Sequence, residues 1–298
     1  MTKYILLIEY DGTRYHGFQW QVGLSTIQNE LEQAIKKFCG ESSRVIAASR
    51  TDAGVHAKGQ VVSFWAKSGL SPMTLVKALN YYLPQDIATK AAYKASPNFN
   101  VRRDALSREY RYYILNNDAR SSFTQRFTLF VPQPLDTEAM NEACQLIQGE
   151  HDFVSFATSL DDARGTVRNI HEAKVDTLTP LARSRVGGRG LPFILLPSRE
   201  GNKGSPKIPE NFWGENKERV VVFRVVANSF LPHQVRNAIG LLMRLGLGKI
   251  SLGDFRDIME ARSLGLAGPT APALGLWLTK VNYPKPLDEA SSEAKGLR

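Results

Sequence analysis

From Arg50 to Ala57 the chain reads Arg-Thr-Asp-Ala-Gly-Val-His-Ala, which sets one carboxylate, Asp52, between a cation and a glycine turn. Such an acid can attack an electrophilic carbon or assist a leaving group, because a neighbouring cation favours its ionised form. The same spacing also suits a tight turn in which aspartate caps a backbone N–H and Gly54 takes a positive φ. A second group of residues is built for binding. Asn98 to Arg103 leads into Ser-Arg-Glu-Tyr-Arg-Tyr-Tyr at Ser107 to Tyr113, where rings could stack on extruded bases while arginines hold phosphates. A strand with core tyrosines and solvated arginines accounts for that run equally well. Third, Asn228 to Asn237 opens a helix with Val235, Ile239 and Leu242 on one stripe and His233, Arg236, Asn237 and Gly240 on another. Arg236 could point into a cleft, or be an ordinary exposed arginine.

Other chemistries fit poorly. Gly246-Leu247-Gly248-Lys249 lacks the glycine spacing of a phosphate loop, and Ile250 stands where magnesium would need a hydroxyl. The histidines at 16, 56, 151, 171 and 233 are scattered, and Cys39 and Cys144 have no paired spacing, so neither a metal cage nor a disulfide framework is expected. No Gly-x-Ser-x-Gly elbow supports serine hydrolase chemistry.

These residues must be positioned by a folded frame, and 298 residues that are 43% hydrophobic can bury a sizeable core. The formal charge of +9 favours polyanionic partners, nucleic acid first among them. The apolar run Tyr4 to Ile8 is too short for a signal-peptide core, and no run approaches the ~18 apolar residues of a membrane span. A reducing, cytoplasmic setting is expected, with an organelle as the alternative. Strands are predicted at Tyr4–Tyr10, Arg44–Ala48, Gln60–Ala66, Asp86–Ala95, Arg108–Leu115, Arg168–Thr177, Arg219–Ala227 and Leu276–Val281. Helices are predicted from Thr26 to Phe38 with a Ser25–Gln28 capping box, from Pro72 to Pro84, from Asp136 to Gln148, from Pro232 to Leu245 and from Asp254 to Ala261. The order reads as two α+β halves with antiparallel sheet. Between Leu178 and Lys217 the pattern breaks into a long basic stretch with Arg183, Arg185, Arg189, Arg199, Lys203 and Lys207, either a passive insertion or an RNA-gripping arm.

The Arg50–His56 motif resembles the active-site sequence of the tRNA pseudouridine synthase A family, and the resemblance continues in family order. Tyr10 to Gln21 is similar to the family's N-terminal loop, Leu79 to Ile87 to its Leu-Asn-x-x-Leu-Pro-x-Asp-Ile stretch, and Gly149 to Phe156 to its Gly-x-His-Asp-Phe-x-Ser-Phe. Phe230 to Gly240 and Ala267 to Leu278 resemble two further family segments. Gln234 departs from the methionine usual there, and the 178–217 insertion exceeds that of compact members.

The resemblance implies the pseudouridine synthase fold, two ferredoxin-like α+β halves sharing one extended antiparallel sheet with a central cleft. Residues 1–105 would form the half carrying the aspartate, 106–284 the second half, and 285–298 a tail. It implies Asp52 as the catalytic acid, Tyr110 as the ring stacked on the target base, Arg236 as the partner of Asp52, Arg50 as the residue that displaces the base, and Leu276 as an apolar wall. Arg14, Arg102 and Arg108 complete the expected substrate-binding set. The implied activity is isomerisation of uridine to pseudouridine in the tRNA anticodon arm (positions 38–40), by a homodimer, without cofactor or metal. A synthase for another RNA, or a non-catalytic RNA-binding protein of this fold, remains the alternative.

Overall fold

The computed structural model describes residues 1–67, 69–160, 165–178 and 219–289. The long basic stretch lies outside these residues from 179 onward, as does the tail from 290.

A 10-stranded sheet forms the frame. In spatial order it runs β4 (Ile87–Ala95), β1 (Thr2–Tyr10), β3 (His56–Ala66), β10 (Leu276–Asn282), β5 (Ser107–Leu115), β9 (Val220–Ala227), β8 (Val167–Leu178) and β7 (Gly149–Asp152). The short β2 (Ile46–Ala47) pairs with β3, and β6 (Leu129–Phe130) with β5. The expected antiparallel sheet is mostly that, with two parallel pairs: β10 with β3, through Trp277–His56 and Leu278–Ala57, and β6 with β5. By lying between β3 and β5, the last strand covers an edge that each would otherwise expose.

The helices follow their sequence signals with local corrections. In α1 (Ile27–Cys39) the cap is Thr26, whose hydroxyl accepts the Asn29 N–H, rather than Ser25. Gln28 is therefore not a capping-box partner but turns inward, donating to Glu32 Oε1 at 2.8 Å. Gly40, at φ 73, ends the helix. Ser71 caps α2 (Pro72–Tyr82), and Asp136 caps α3 (Thr137–Leu146). The latter is shorter than its periodicity suggests because Gly149 turns at φ 94 into β7. The last two helices are α4 (Gln234–Gly246) and α5 (Leu252–Glu260), the second opened by a Ser251–Asp254 capping box. Among the described residues no helix is long and apolar enough to cross a membrane.

One core joins the sheet to the five helices of the described residues: Leu6, Ile8, Tyr110, Tyr112 and Phe223 meet Leu31, Leu75, Met140, Ile239 and Phe255. Burying a side chain of that size stabilises by about 1.5–3 kcal/mol before entropy is counted. Strand alternation puts Tyr113, Leu115, Val222 and Trp277 in a separate cluster on the opposite face, so Tyr110 and Tyr112 do share one face.

Candidate active site

Asp52 sits on the connection between β2 and β3, and β3 begins at His56, shortly after it, rather than at Gln60. The Val55 N–H donates to the Asp52 carbonyl at 3.2 Å, and Gly54 lies at φ 77, so the motif is indeed a tight turn as well as an acid's mount. A second loop braces that turn from behind. The Phe18 N–H donates to Thr51 O at 2.9 Å, the Gly54 N–H to Tyr15 O at 3.2 Å, and the Tyr10 and Thr51 hydroxyls lie 2.8 Å apart. The brace is so close that a Cβ on Gly12 would meet Val55 O at 2.1 Å, and one on Gly17, at φ 88, would meet Thr51 O at 2.7 Å. His56 is fully buried, stacked on Trp277 at 4.4 Å, and its Nε2–H donates to Leu274 O at 3.2 Å. That contact ties the end of the turn to the approach of β10.

Opposite Asp52, α4 begins. Its first turn is held by Gln234, buried, whose Oε1 accepts the Leu231 N–H at 2.8 Å. A methionine could not make that bond, which accounts physically for the polar residue. Arg236 then places Nη1 3.5 Å from Asp52 Oδ2 while its Nε donates to Ala271 O at 2.8 Å. The Ala271 N–H donates back to Arg236 O at 3.1 Å, so the arginine is held from two sides. His233 Nε2 also lies 3.5 Å from Asp52 Oδ2.

A cleft of about 450 Å³ opens in front of these groups. Its walls include Tyr110, Phe230, Val55 and Leu276. Tyr110 is buried, its ring meets Phe230 edge-on at 5.3 Å, and its hydroxyl lies 2.9 Å from Ser49 Oγ. Burial pushes the phenol up to about 12; the Ser49 hydrogen bond pulls the other way, and the charge of Asp52 adds to the rise. A carboxylate, a fixed cation and a patch of apolar and aromatic side chains thus share one small, otherwise polar and arginine-rich cleft, an arrangement that can break a bond at carbon while rings pack on the leaving group.

The structure brings Asp52, Tyr110, Arg236, Arg50, Leu276, Arg102 and Arg108 to this cleft, and not Arg14. Arg14 is exposed and binds Asp86 Oδ2 through Nε at 2.9 Å and Nη2 at 2.5 Å. Arg50 is exposed and Arg102 partly so. Arg108 differs from the phosphate contact expected of it. It is buried, and its Nη1 and Nη2 donate to four carbonyl oxygens, of Ala105 (3.2 Å), Asn228 (2.7 Å), Ala48 (3.1 Å) and Arg102 (2.6 Å). Those bonds knit together the three loops that surround the cleft, while burial lowers the pKa of the group. Ser49, Phe230, Arg168 and His233 were not assigned functions from sequence. Only His233 carried a usable signal, three residues before Arg236 on one helix stripe.

A family model described as tRNA pseudouridine synthase matches residues 6–103 and 143–284, which include Asp52, Arg236 and Leu276 but not Tyr110. Proteins named tRNA pseudouridine synthase A are similar over most of their length. One from Acetivibrio thermocellus is 35% identical over 278 residues, 93% of this chain and 98% of that protein. One from Chloroflexus aurantiacus is 35% identical over 284 residues, 95% and 90% of the two chains. One from Legionella pneumophila is 34% identical over 280 residues, 94% and 92%. Matched along most of its length, with an acid and an arginine facing each other across a cleft, the chain belongs to the tRNA pseudouridine synthase family.

Proposed function

We propose that this protein isomerises uridine to pseudouridine in the anticodon arm of tRNA, with Asp52 as the catalytic group. The supporting observation is the pairing of Asp52 with Arg236 at 3.5 Å in a cleft walled by Tyr110 and Leu276. In this reading Asp52 attacks C1′ as N1 departs, the detached uracil turns within the cleft, and C5 then displaces the carboxylate from C1′. Arg236 pairs with Asp52 and aims it. Tyr110 stacks on the ring, Leu276 closes its edge, and Arg50 occupies the space the base vacates on leaving the helix. Extruding that base costs a few kcal/mol, which contacts in the cleft must offset. Arg102 and the exposed basic surface hold phosphates, so binding weakens as salt rises.

The reading further assigns residues 1–105 and 106–284 to two related halves, and places the enzyme in the cytoplasm as a homodimer whose second subunit helps to grip the tRNA. Tritium release from tRNA carrying [5-³H]uridine tests the chemistry. Asp52→Asn is expected to lower release at least about 10⁴-fold, the scale of losing an essential nucleophile, with tRNA binding nearly intact. A non-catalytic RNA-binding protein would release no tritium even as the natural chain. Retained turnover in Asp52→Asn would remove the aspartate from the mechanism.

A further inference from the structure

Isomerisation of uridine leaves one proton without an acceptor, and the identity of that acceptor rests on the isomerase reading of the cleft. Once C5 has joined C1′, C5 carries both the ribose and its original hydrogen. A base must remove that hydrogen as a proton. The C5–H electron pair then forms the C5–C6 double bond, the C6–N1 double-bond electrons move to N1, and N1 takes a proton from water.

The titratable groups lining the cleft among the described residues are Asp52, Tyr110, His233 and the arginines at 50, 102, 108, 168 and 236. Arginines do not give up their protons in proteins. Tyr110 is a buried phenol pushed up to about 12, so it stays protonated at physiological pH. Asp52 is free again once C5 displaces it, but it then faces Arg236 Nη1 at 3.5 Å and is placed to be the counter-ion of whichever group takes the proton. The imidazole of His233 is the remaining side chain with a ring nitrogen that can accept a proton and pass it on.

The geometry singles out His233 independently. At φ 60 and ψ 2 it is left-handed, an uncommon conformation for a residue other than glycine, yet its side chain makes no capping bond to α4. The imidazole stands in the cleft instead, with Nε2 3.5 Å from Asp52 Oδ2. Its side chain is 37% exposed against 16% for Arg236, which leaves it a route to water. The charged groups that share its surroundings are Asp52 from the β2–β3 turn, Arg236 from its own helix, and Arg50, Arg102 and Arg168 around the cleft.

We propose that His233 is a catalytic base that takes the C5 proton, and that Asp52, freed from C1′ as a carboxylate 3.5 Å away, stabilises the resulting imidazolium until the proton passes to water. The order of events supplies the timing. The carboxylate that favours a charged imidazole is regenerated in the step that creates the acidic C5–H.

The test compares the full chain with His233→Asn and His233→Gln on tRNA carrying [5-³H]uridine, [5-²H]uridine or 5-fluorouridine. Asparagine also accepts the left-handed conformation, so the backbone turn is kept. Tritium release is expected to fall about 10²-fold in both variants, the usual contribution of a general base. Deuterium at C5 should slow the variants more than the natural chain, because C5–H cleavage has become limiting. A base cannot remove fluorine from C5, so loss of the original glycosidic linkage in 5-fluorouridine tRNA should proceed at the natural rate. Unchanged tritium release would overturn the proposal, and so would equal loss of both activities, which would make His233 a positioning residue for Asp52. If the natural chain itself releases no tritium, the isomerase reading fails and this step falls with it.

Discussion

Arg236 Nη1 lies 3.5 Å from Asp52 Oδ2, a contact between residues 184 positions apart that joins the turn after β2 to the first turn of α4. Because Ala271 fixes the same guanidinium through Nε, the cation cannot follow the carboxylate if the loop moves. Replacing Arg236 with alanine is expected to lower kcat by about 10²–10³, the cost of removing one preorganised donor from a charge-developing site, while KM changes little. Steady-state kinetics on one tRNA would check this, and a rise confined to KM would make Arg236 a binding residue.

Gly17 offers a way to disturb Asp52 without touching the cleft. An added methyl would sit 2.7 Å from Thr51 O at a φ of 88, so Gly17→Ala should push the turn forward and destabilise the fold by about 1–3 kcal/mol. A lower urea midpoint together with a lower kcat is the expected pair of results. A normal kcat at full folding would show that the brace does not set the position of Asp52.

Arg108 should behave as a stabilising residue. Methionine would fill its space and leave four carbonyl oxygens without their donor, so Arg108→Met is expected to cost about 3 kcal/mol by urea denaturation. The salt dependence of tRNA binding should hardly change. A flatter dependence would return Arg108 to the phosphate-binding set.

Alkaline pH should unfold the protein through its buried phenols. Burial pushes Tyr110 up to about 12 and also raises Tyr10, Tyr112 and Tyr283, whereas an unfolded tyrosine ionises near 10. Between those values the unfolded chain has released a proton that the folded one retains. The stabilisation is therefore complete below about pH 10 and declines as pH rises toward 12, by about 1.4 kcal/mol per unit for each such group. Urea midpoints at about pH 9 and about pH 11 measure the slope, and Tyr110→Phe should make it shallower. A slope unchanged by that substitution would mean that Tyr110 ionises normally in the folded protein.

Much of this architecture was legible in the chain because its signals are local. The helix that presents Arg236 was visible in the spacing of Val235, Ile239 and Leu242, and the positive φ of Gly54 in the turn chemistry around Asp52. The capping choice between Ser25 and Thr26 was not, since both side chains can accept the bond and packing of Gln28 decides. The parallel joint of β10 with β3 was hidden for another reason, as strand direction within a sheet is set by partners distant in sequence.

What the sequence determined by itself was the acid, its motif and the elements on either side, because residue type and short-range periodicity govern these. The family motif also pointed to Arg236 as the partner of that acid. Only the tertiary structure decided that His233 joins the pair, 3.5 Å from Asp52 Oδ2, and that Arg108, read from its charge as a phosphate contact, is turned inward to bind main-chain carbonyls. A cation's sign is written in the chain, but its partner depends on which loops the folded sheet brings within a few ångströms, and on whether burial leaves it any other acceptor.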